Sequence, residues 1–494
     1  MSKNRLLLLV LVAGVLIGSI AVYSSSSQFS STQETTSVSA SSSAVCSQPA
    51  GVSKVQLSPS PQFGAVTTFA LPKPLKAPNS IAVAPDGSVW FGEVALRGVA
   101  HLFTNGTLLQ YAWPSSFFSP PTNCFDLSEL WGLVIWHGMV WASDSVNGQL
   151  VALTPSNDTF QTVHLSEGSL PRFLAIDASG DLWFTESSTS TRVGMLASPS
   201  SAPRYFDVPA GAGQISASLL FYNTSLAYVV TVNTSDNAGE VFSFDPLLSQ
   251  PVFTDIGANE TLLAPYSVAV ADGGLWVSEH DASDLAFYNQ TSSRWSFYPT
   301  SLNPEVPATL PYYILANGSS VWFNEHDSNR IGEVSGGVSL TEFNISSVPL
   351  ASGGVGNALT IGLDRNLVWF TEWTGNEVGY VNASVSPTFS ISSPSNSSGI
   401  SIAPGSSVTL PLTISGTSAL PLSLGYADSE THLSNPVNLS ISSDAGTITG
   451  LAGTRLVTLT VAAKPGTPAG EYLVLVTVTD GITYRSVYIT VEVQ

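Results

Sequence analysis

Apolar and polar residues alternate with a period of two in short runs along most of this chain, and Gly, Pro, Asn or Asp closes each run. Such alternation belongs to half-buried β-strands, and no segment beyond the N-terminal apolar run carries a helical period. The runs recur in one order. A turn with Pro or a small residue leads into a short apolar strand, as in Pro78-Asn79-Ser80-Ile81-Ala82-Val83. A tight polar turn (Pro85-Asp86-Gly87) precedes a strand that runs from tryptophan to an acid. A polar loop, a strand such as Arg330-Ile331-Gly332-Glu333-Val334, and a strand of alternating aromatics such as Trp295-Ser296-Phe297-Tyr298 complete the unit. The order predicts four antiparallel strands per repeat.

The Trp-to-acid strand has six full copies, ending in Glu93, Asp144, Glu186, Glu279, Glu325 and Glu372. Leu226-Ala227-Tyr228-Val229-Val230 is a degenerate seventh that lacks the acid. The aromatic positions, 90, 141, 183, 228, 276, 322 and 369, are spaced by 42 to 51 residues. Repeats of roughly 40–50 residues built from short strands predict a β-propeller, here with seven blades. A large aromatic at one fixed position per blade is expected to pack between blades. The six acids are expected either to form an axial ring holding a divalent ion, Mg2+ or Ca2+, through oxygen ligands, or to bond loop amides and pair with Arg97, Arg192 or Arg330. Nothing in the pattern calls for an organic cofactor.

After Val381 the repeat stops and tryptophan disappears. Residues 386–494 carry strands such as Leu456–Val461 and a closing pair, Gly470–Val478 and Tyr488–Val493, which predict an immunoglobulin-like β-sandwich. The expected fold is therefore all-β: a propeller over 61–385, then the sandwich. At the other end, Lys3 and Arg5 precede an apolar run from Leu6 to Tyr23, read as a signal anchor or signal peptide over 1–23. Residues 24–60 read as a Ser/Thr-rich tether. Cys46 and Cys124 are the only cysteines and are expected to form a disulfide in an oxidising compartment. Asn-x-Ser/Thr sequons fit a glycosylated exterior. A net charge of −20 argues against nucleic acid and leaves the N-terminal run as the sole membrane contact. The expected location is the outer face of the cell membrane, or secretion.

The blade pattern Pro-x-x-Ile…Asp-Gly…Leu-Trp-Phe-Thr-Glu…Asn-x-Ile-Gly resembles the streptogramin B lyase (virginiamycin B lyase) family of seven-bladed propellers. The match covers roughly residues 65–383 and is carried best by Val321–Glu325 with Asn329–Val334. The resemblance implies a magnesium-assisted elimination that opens a cyclic depsipeptide at an ester. It implies glutamates of the Trp-Phe-x-Glu type at the metal and a histidine from a Glu-Pro-His-Gly-Ile turn. Here the histidine position is Asn79, Arg172, Tyr266 or Tyr312, and the preceding acid is replaced by Ala77, Leu170, Ala264 or Leu310.

Two other histidines, His280 and His326, directly follow Glu279 and Glu325 and stand as catalytic candidates. Strand alternation predicts that they point away from the axis if the acids point toward it. The expected role is a binding module for a small molecule, glycan or peptide, with Tyr266, Tyr312, Arg172 and Asn79 at the ligand. The alternative is a Mg2+-dependent C–O lyase or a calcium-dependent, lactonase-like hydrolase.

Overall fold

The computed structural model describes residues 51–494 apart from 62–63, 75, 118–129, 189–190, 212, 258–259, 302–308, 338, 346–357, 395–398 and 429–437. The apolar N-terminal run, Cys46 and Cys124 lie outside the described residues. Among those described, no helix is long and apolar enough to cross a membrane.

Seven antiparallel sheets follow one another in the repeat region. Their first strands are Pro78–Val83, Leu133–Trp136, Pro171–Ile176, Gln214–Asn223, Pro265–Ala271, Pro311–Asn317 and Ala358–Asp364, which define blades 1 to 7. Each of these strands contacts the next, and the seventh contacts the first, so they line a closed ring about one axis. The Trp-to-acid strand is second from the axis in each blade. An early segment closes the ring: Val66–Ala70 pairs antiparallel with Glu377–Asn382 and becomes the outer strand of blade 7. Closure of this kind hides the sheet edges that would otherwise template aggregation. Gly51–Gln56, within the span read as tether, pairs with Thr107–Ala112 as an extra outer strand of blade 1.

The repeated tryptophans pack as their chemistry predicts. Trp90 clusters with Leu133 and Val140 of blade 2, Trp141 with Leu182 and Phe184 of blade 3, and Trp183 with Val229 and Phe242 of blade 4. Trp276, Trp322 and Trp369 continue the pattern into blades 6, 7 and 1. Tyr228 in the degenerate copy does the same against Val268 and Val277 of blade 5. The aromatic therefore faces the following blade everywhere, and the phenylalanine after it points to the preceding one because strand side chains alternate. That phenylalanine explains the glycine of the repeat. Phe184, Phe323 and Phe370 lie opposite Gly194, Gly332 and Gly379 on the third strand. A Cβ at those glycines would sit 2.1, 2.2 and 2.6 Å from the ring.

Beyond the ring, two sheets form a β-sandwich. One has the order Phe389–Ser392, Ser407–Ser418, Leu451–Ala463, Leu439–Ser443; the other contains Thr483–Val493, Gly470–Thr479, Leu422–Asp428 and Thr447–Ile448. The second sheet is not separate from the propeller. Thr483–Val493 pairs antiparallel with Ser339–Asn344, the outer strand of blade 6, giving one nine-stranded sheet that runs through both units. Tyr488 seals the join: it packs on Tyr298 with centroids 5.1 Å apart, and its hydroxyl donates to the Pro299 carbonyl at 3.0 Å.

Candidate functional site at the propeller axis

In five of the seven blades the first strand begins with a bulge. In blades 1, 3, 5, 6 and 7 the pairing register slips between the opening residue and the third one after it. A bulge re-aims side chains. Here the re-aimed residue is the one after the proline, the position where the lyase resemblance expects histidine. Its register equivalents around the ring are Asn79, Trp131, Arg172, Ala217, Tyr266, Tyr312 and Leu359, all of them buried.

Several of these meet across the axis. Tyr312 of blade 6 lies 6.4 Å from Trp131 of blade 2 and 6.5 Å from Phe173 of blade 3, measured between ring centroids. Those blades are not neighbours in the ring, so only the axis can bring them together. Tyr266 lies tilted against Tyr312 at 4.8 Å, and the Arg172 guanidinium covers the Trp131 ring at 4.6 Å. Tyr313 and Trp373 join as half-exposed rings, Tyr313 on Phe173 at 5.7 Å and Trp373 on Trp131 at 6.4 Å. Burial pushes the Tyr266 phenol far above its usual range and the Tyr313 phenol to about 12, so both remain neutral donors. Asn79 is buried nearby in blade 1. Its carbonyl accepts from the hydroxyls of Thr360 and Thr371, and its Nδ2 has no partner among the described residues.

The two histidines face this cluster, which reverses the expected geometry. His280 lies 5.4 Å from Tyr266 and 5.7 Å from His326, and His326 lies 5.9 Å from Tyr312. The alternation argument holds; its two faces are exchanged, with the acid turned into the blade and the next residue turned to the axis. Backbone bonds pin that choice. His280 N–H donates to the Ala264 carbonyl and His326 N–H to that of Leu310. Ala264 and Leu310 sit at φ +48 and +54, a strained region for residues other than glycine. Trp373 occupies the same post-acid position in blade 7. His280 Nδ1 lies 2.9 Å from Asp281, while Nε2 is buried without a partner among the described residues. Burial, opposed by Asp327 and reinforced by His280, pulls His326 down to about 4.

The six acids do not converge. Glu93 accepts two bonds of 2.8 Å from Gln110 Nε2, and Asp144 is held by Asn147 Nδ2 and Gln149 Nε2 at 2.8 and 2.9 Å. Glu186 accepts from Ser169 Oγ at 2.6 Å and pairs with Arg192, and Glu325 pairs with Arg330 and Ser328. Glu279 accepts the Leu263 N–H at 2.6 Å and shares a hydrogen bond with buried Asp284. Glu372 is buried beside the Trp373–Gly375 turn. Glu93, Asp144, Glu186, Glu279 and Glu325 thus each bond residues of their own blade, and among the described residues no three of His, Cys, Asp or Glu are gathered as a metal site. Of the arginine pairings, those of Arg192 and Arg330 form, whereas Glu93 takes Gln110 in place of Arg97. Burial raises Glu93, and Glu279 beside Asp284, to about 7.

Sequence reasoning missed Trp131, Phe173 and Trp373. Their signals were present: Trp131 stands where the proline-turn residue should be in a blade without that proline, and Trp373 stands where the two histidines stand.

The fold and this axial arrangement define an all-β propeller with a sandwich attached. No protein-family model matches the chain, and no curated protein matches it. Among solved structures it is similar to a catalytically inactive histidine-to-alanine variant of virginiamycin B lyase from Staphylococcus aureus with quinupristin. That likeness has a TM-score of 0.50 and 17% identity, over 64% of this chain and 98% of the other. A streptogramin B lyase structure is also similar, at TM-score 0.49 and 19% identity over 64% and 97% of the two chains. At 17% identity the likeness to the virginiamycin B lyase variant shows the propeller fold alone.

Proposed function

We propose that this chain is an exported, membrane-tethered binding propeller whose ligand seats on the axial floor of aromatic rings, with the immunoglobulin-like sandwich as an accessory. One observation carries the reading: rings from blades 2, 3, 5, 6 and 7 meet at the axis together with Arg172, His280 and His326. Aromatic faces flanked by neutral phenol and imidazole donors suit a sugar ring or a peptide side chain. The test is a panel of glycans and short peptides titrated against wild type and the rim variants Tyr313→Ala and Trp373→Ala. The reading expects a ligand whose affinity falls at least about tenfold in both variants, a loss of roughly 1.4 kcal/mol. A ligand that binds both variants as tightly as wild type overturns it.

A second reading is favoured by the Asp281–His280 pair, whose ring lies 5.4 and 6.0 Å from those of Tyr266 and Tyr312 and whose Nε2 is buried without a partner among the described residues. An elimination of the streptogramin lyase type needs a base that removes a carbon-bound proton as the ester C–O bond breaks, and an Asp-oriented imidazole can act so. Incubating wild type and His280→Asn with a cyclic depsipeptide, with and without Mg2+, decides it. Opening of the ring by wild type alone supports the lyase; an intact ring in every arm rejects it.

A further inference from the structure

A cavity of about 490 Å³ lies where blades 6 and 7 meet the sandwich, and none of the axial residues lines it. That size lies within the usual range for small-molecule sites, roughly 300–1,000 Å³. One wall is a single row across the nine-stranded sheet. Trp322 is registered with Glu333, Glu333 with Thr341, and Thr341 with Arg485 of the sandwich. Cross-strand partners share a face, so these four side chains rise from the same side. The opposite wall is the chain passing from the last blade into the sandwich, including Thr388 and Phe389, backed by Gly416. Glycine is required there: at φ +127, a Cβ on residue 416 would come within 2.2 Å of the Thr388 carbonyl oxygen.

The charges on the sheet wall are not satisfied by each other. Arg485 donates through Nη1 to Thr341 Oγ1, while its Nε is buried with no partner among the described residues. Glu333 stands two strands away, roughly 10 Å at the backbone, and no ion pair within 4.0 Å joins it to Arg485 among the described residues. Burial of the guanidinium lowers its proton affinity and Glu333 partly restores it, so the two groups feel each other without touching. An unpaired cation and an anion therefore share one cavity, with the hydroxyl of Thr341 between them and the apolar Trp322, Phe343 and Phe389 alongside.

We propose that this cavity binds a short zwitterionic peptide, its carboxylate on Arg485 and its ammonium on Glu333, with an apolar side chain against the aromatic wall. The site is independent of the axial reading and would exist whichever function the axis serves. Because it is assembled from both units, its ligand also ties the sandwich to the propeller.

Calorimetric titration of the full chain with the dipeptide Ala-Phe, its N-acetyl form and its C-terminal amide tests the proposal without any variant. The expected result is saturable one-to-one binding of the free dipeptide, with affinity lowered at least about tenfold by capping either end. Glu333→Gln should then abolish the penalty of N-acetylation, and Arg485→Gln that of amidation, in proteins whose melting temperatures match wild type. Absence of binding by the free dipeptide overturns the proposal, as do capped forms that bind equally well. Equal affinity for Trp322-wall competitors such as free indole, with no dependence on either charge, overturns it too.

Discussion

Blades 3 and 6 carry nearly the same motif and put it to different use. In blade 3, Leu182-Trp183-Phe184-Thr185-Glu186 is followed by Arg192; in blade 6, Val321-Trp322-Phe323-Asn324-Glu325 is followed by Arg330. Both arginines pair with their glutamate, and both lie over a tyrosine ring, at 4.2 and 4.5 Å. In blade 3 that ring is Tyr205, from the blade's own outer strand, and Arg192 remains 18% exposed. In blade 6 it is Tyr484, from the sandwich, and Arg330 is 1% exposed. A second acid, Glu342, is enclosed with it, and Ser301 closes the set by accepting from Arg330 and donating to Glu342. One motif thus gives a surface tie in blade 3 and a buried charge network in blade 6. The difference lies in what covers the blade.

Removing the arginines is the strongest way to break this comparison. Arg330→Ala leaves two carboxyls buried without their counter-ion and should cost about 3–5 kcal/mol of folding stability. Arg192→Ala removes a solvent-touching pair and should cost at most about 1 kcal/mol. Denaturant unfolding of both variants checks the ratio, and equal losses would mean that the sandwich does not seal blade 6.

The inner packing should behave oppositely. Gly194→Ala and Gly332→Ala both drive a methyl into a phenylalanine ring, and each should cost about 1–3 kcal/mol by overpacking. Similar losses in the two blades would sharpen the comparison by locating their difference outside the ring.

A smaller effect is expected from pH. Burial holds the Glu342 carboxyl well above its ordinary value of 4.5, opposed by Arg330. The unfolded chain therefore releases this proton first as pH rises. Stability from the group is complete below about 4.5 and is lost as pH climbs through the folded value. Glu93, raised to about 7, adds to the same trend between about 4.5 and 7. His326, lowered to about 4, opposes it below its ordinary value of 6.5, because the unfolded chain then binds the proton more readily. Melting curves from pH 5 to 8 should accordingly fall with rising pH, and Glu342→Gln should flatten that fall. A steeper fall in the variant would contradict the assignment.

The smallest effect should come from chelation. Excess EDTA is expected to leave the melting temperature unchanged, since five of the six acids bond residues of their own blade. A drop of several degrees would revive a shared cation.

Much of the fold was legible because it is written in local repeats. Period-two alternation identifies strands one at a time, and the spacing of Trp90 through Trp369 counts the blades without reference to any contact. Even the glycine of the Ile331-Gly332 type follows from the phenylalanine registered opposite it. The candidate site was legible only in part. The repeat put Tyr266, Tyr312 and Arg172 at one equivalent position, whereas for the acids it left an axial ring and in-blade partners equally open, and only the contacts show the in-blade partners.

The reason is that a repeat specifies which residues occupy equivalent positions, and says nothing about which way an alternating strand is turned. Turning Glu279 inward and His280 to the axis depends on one backbone bond to Ala264, a contact between separate strands. The covering of Arg330 by Tyr484 joins residues 154 apart in number and depends on how two units share a sheet. Sequence alone determined the strands, the blade count and the residues that pack them, because those rest on local period and side-chain volume. Only the tertiary structure decided which polar groups are buried, paired or aimed at the axis, because burial is a property of what lies across the gap.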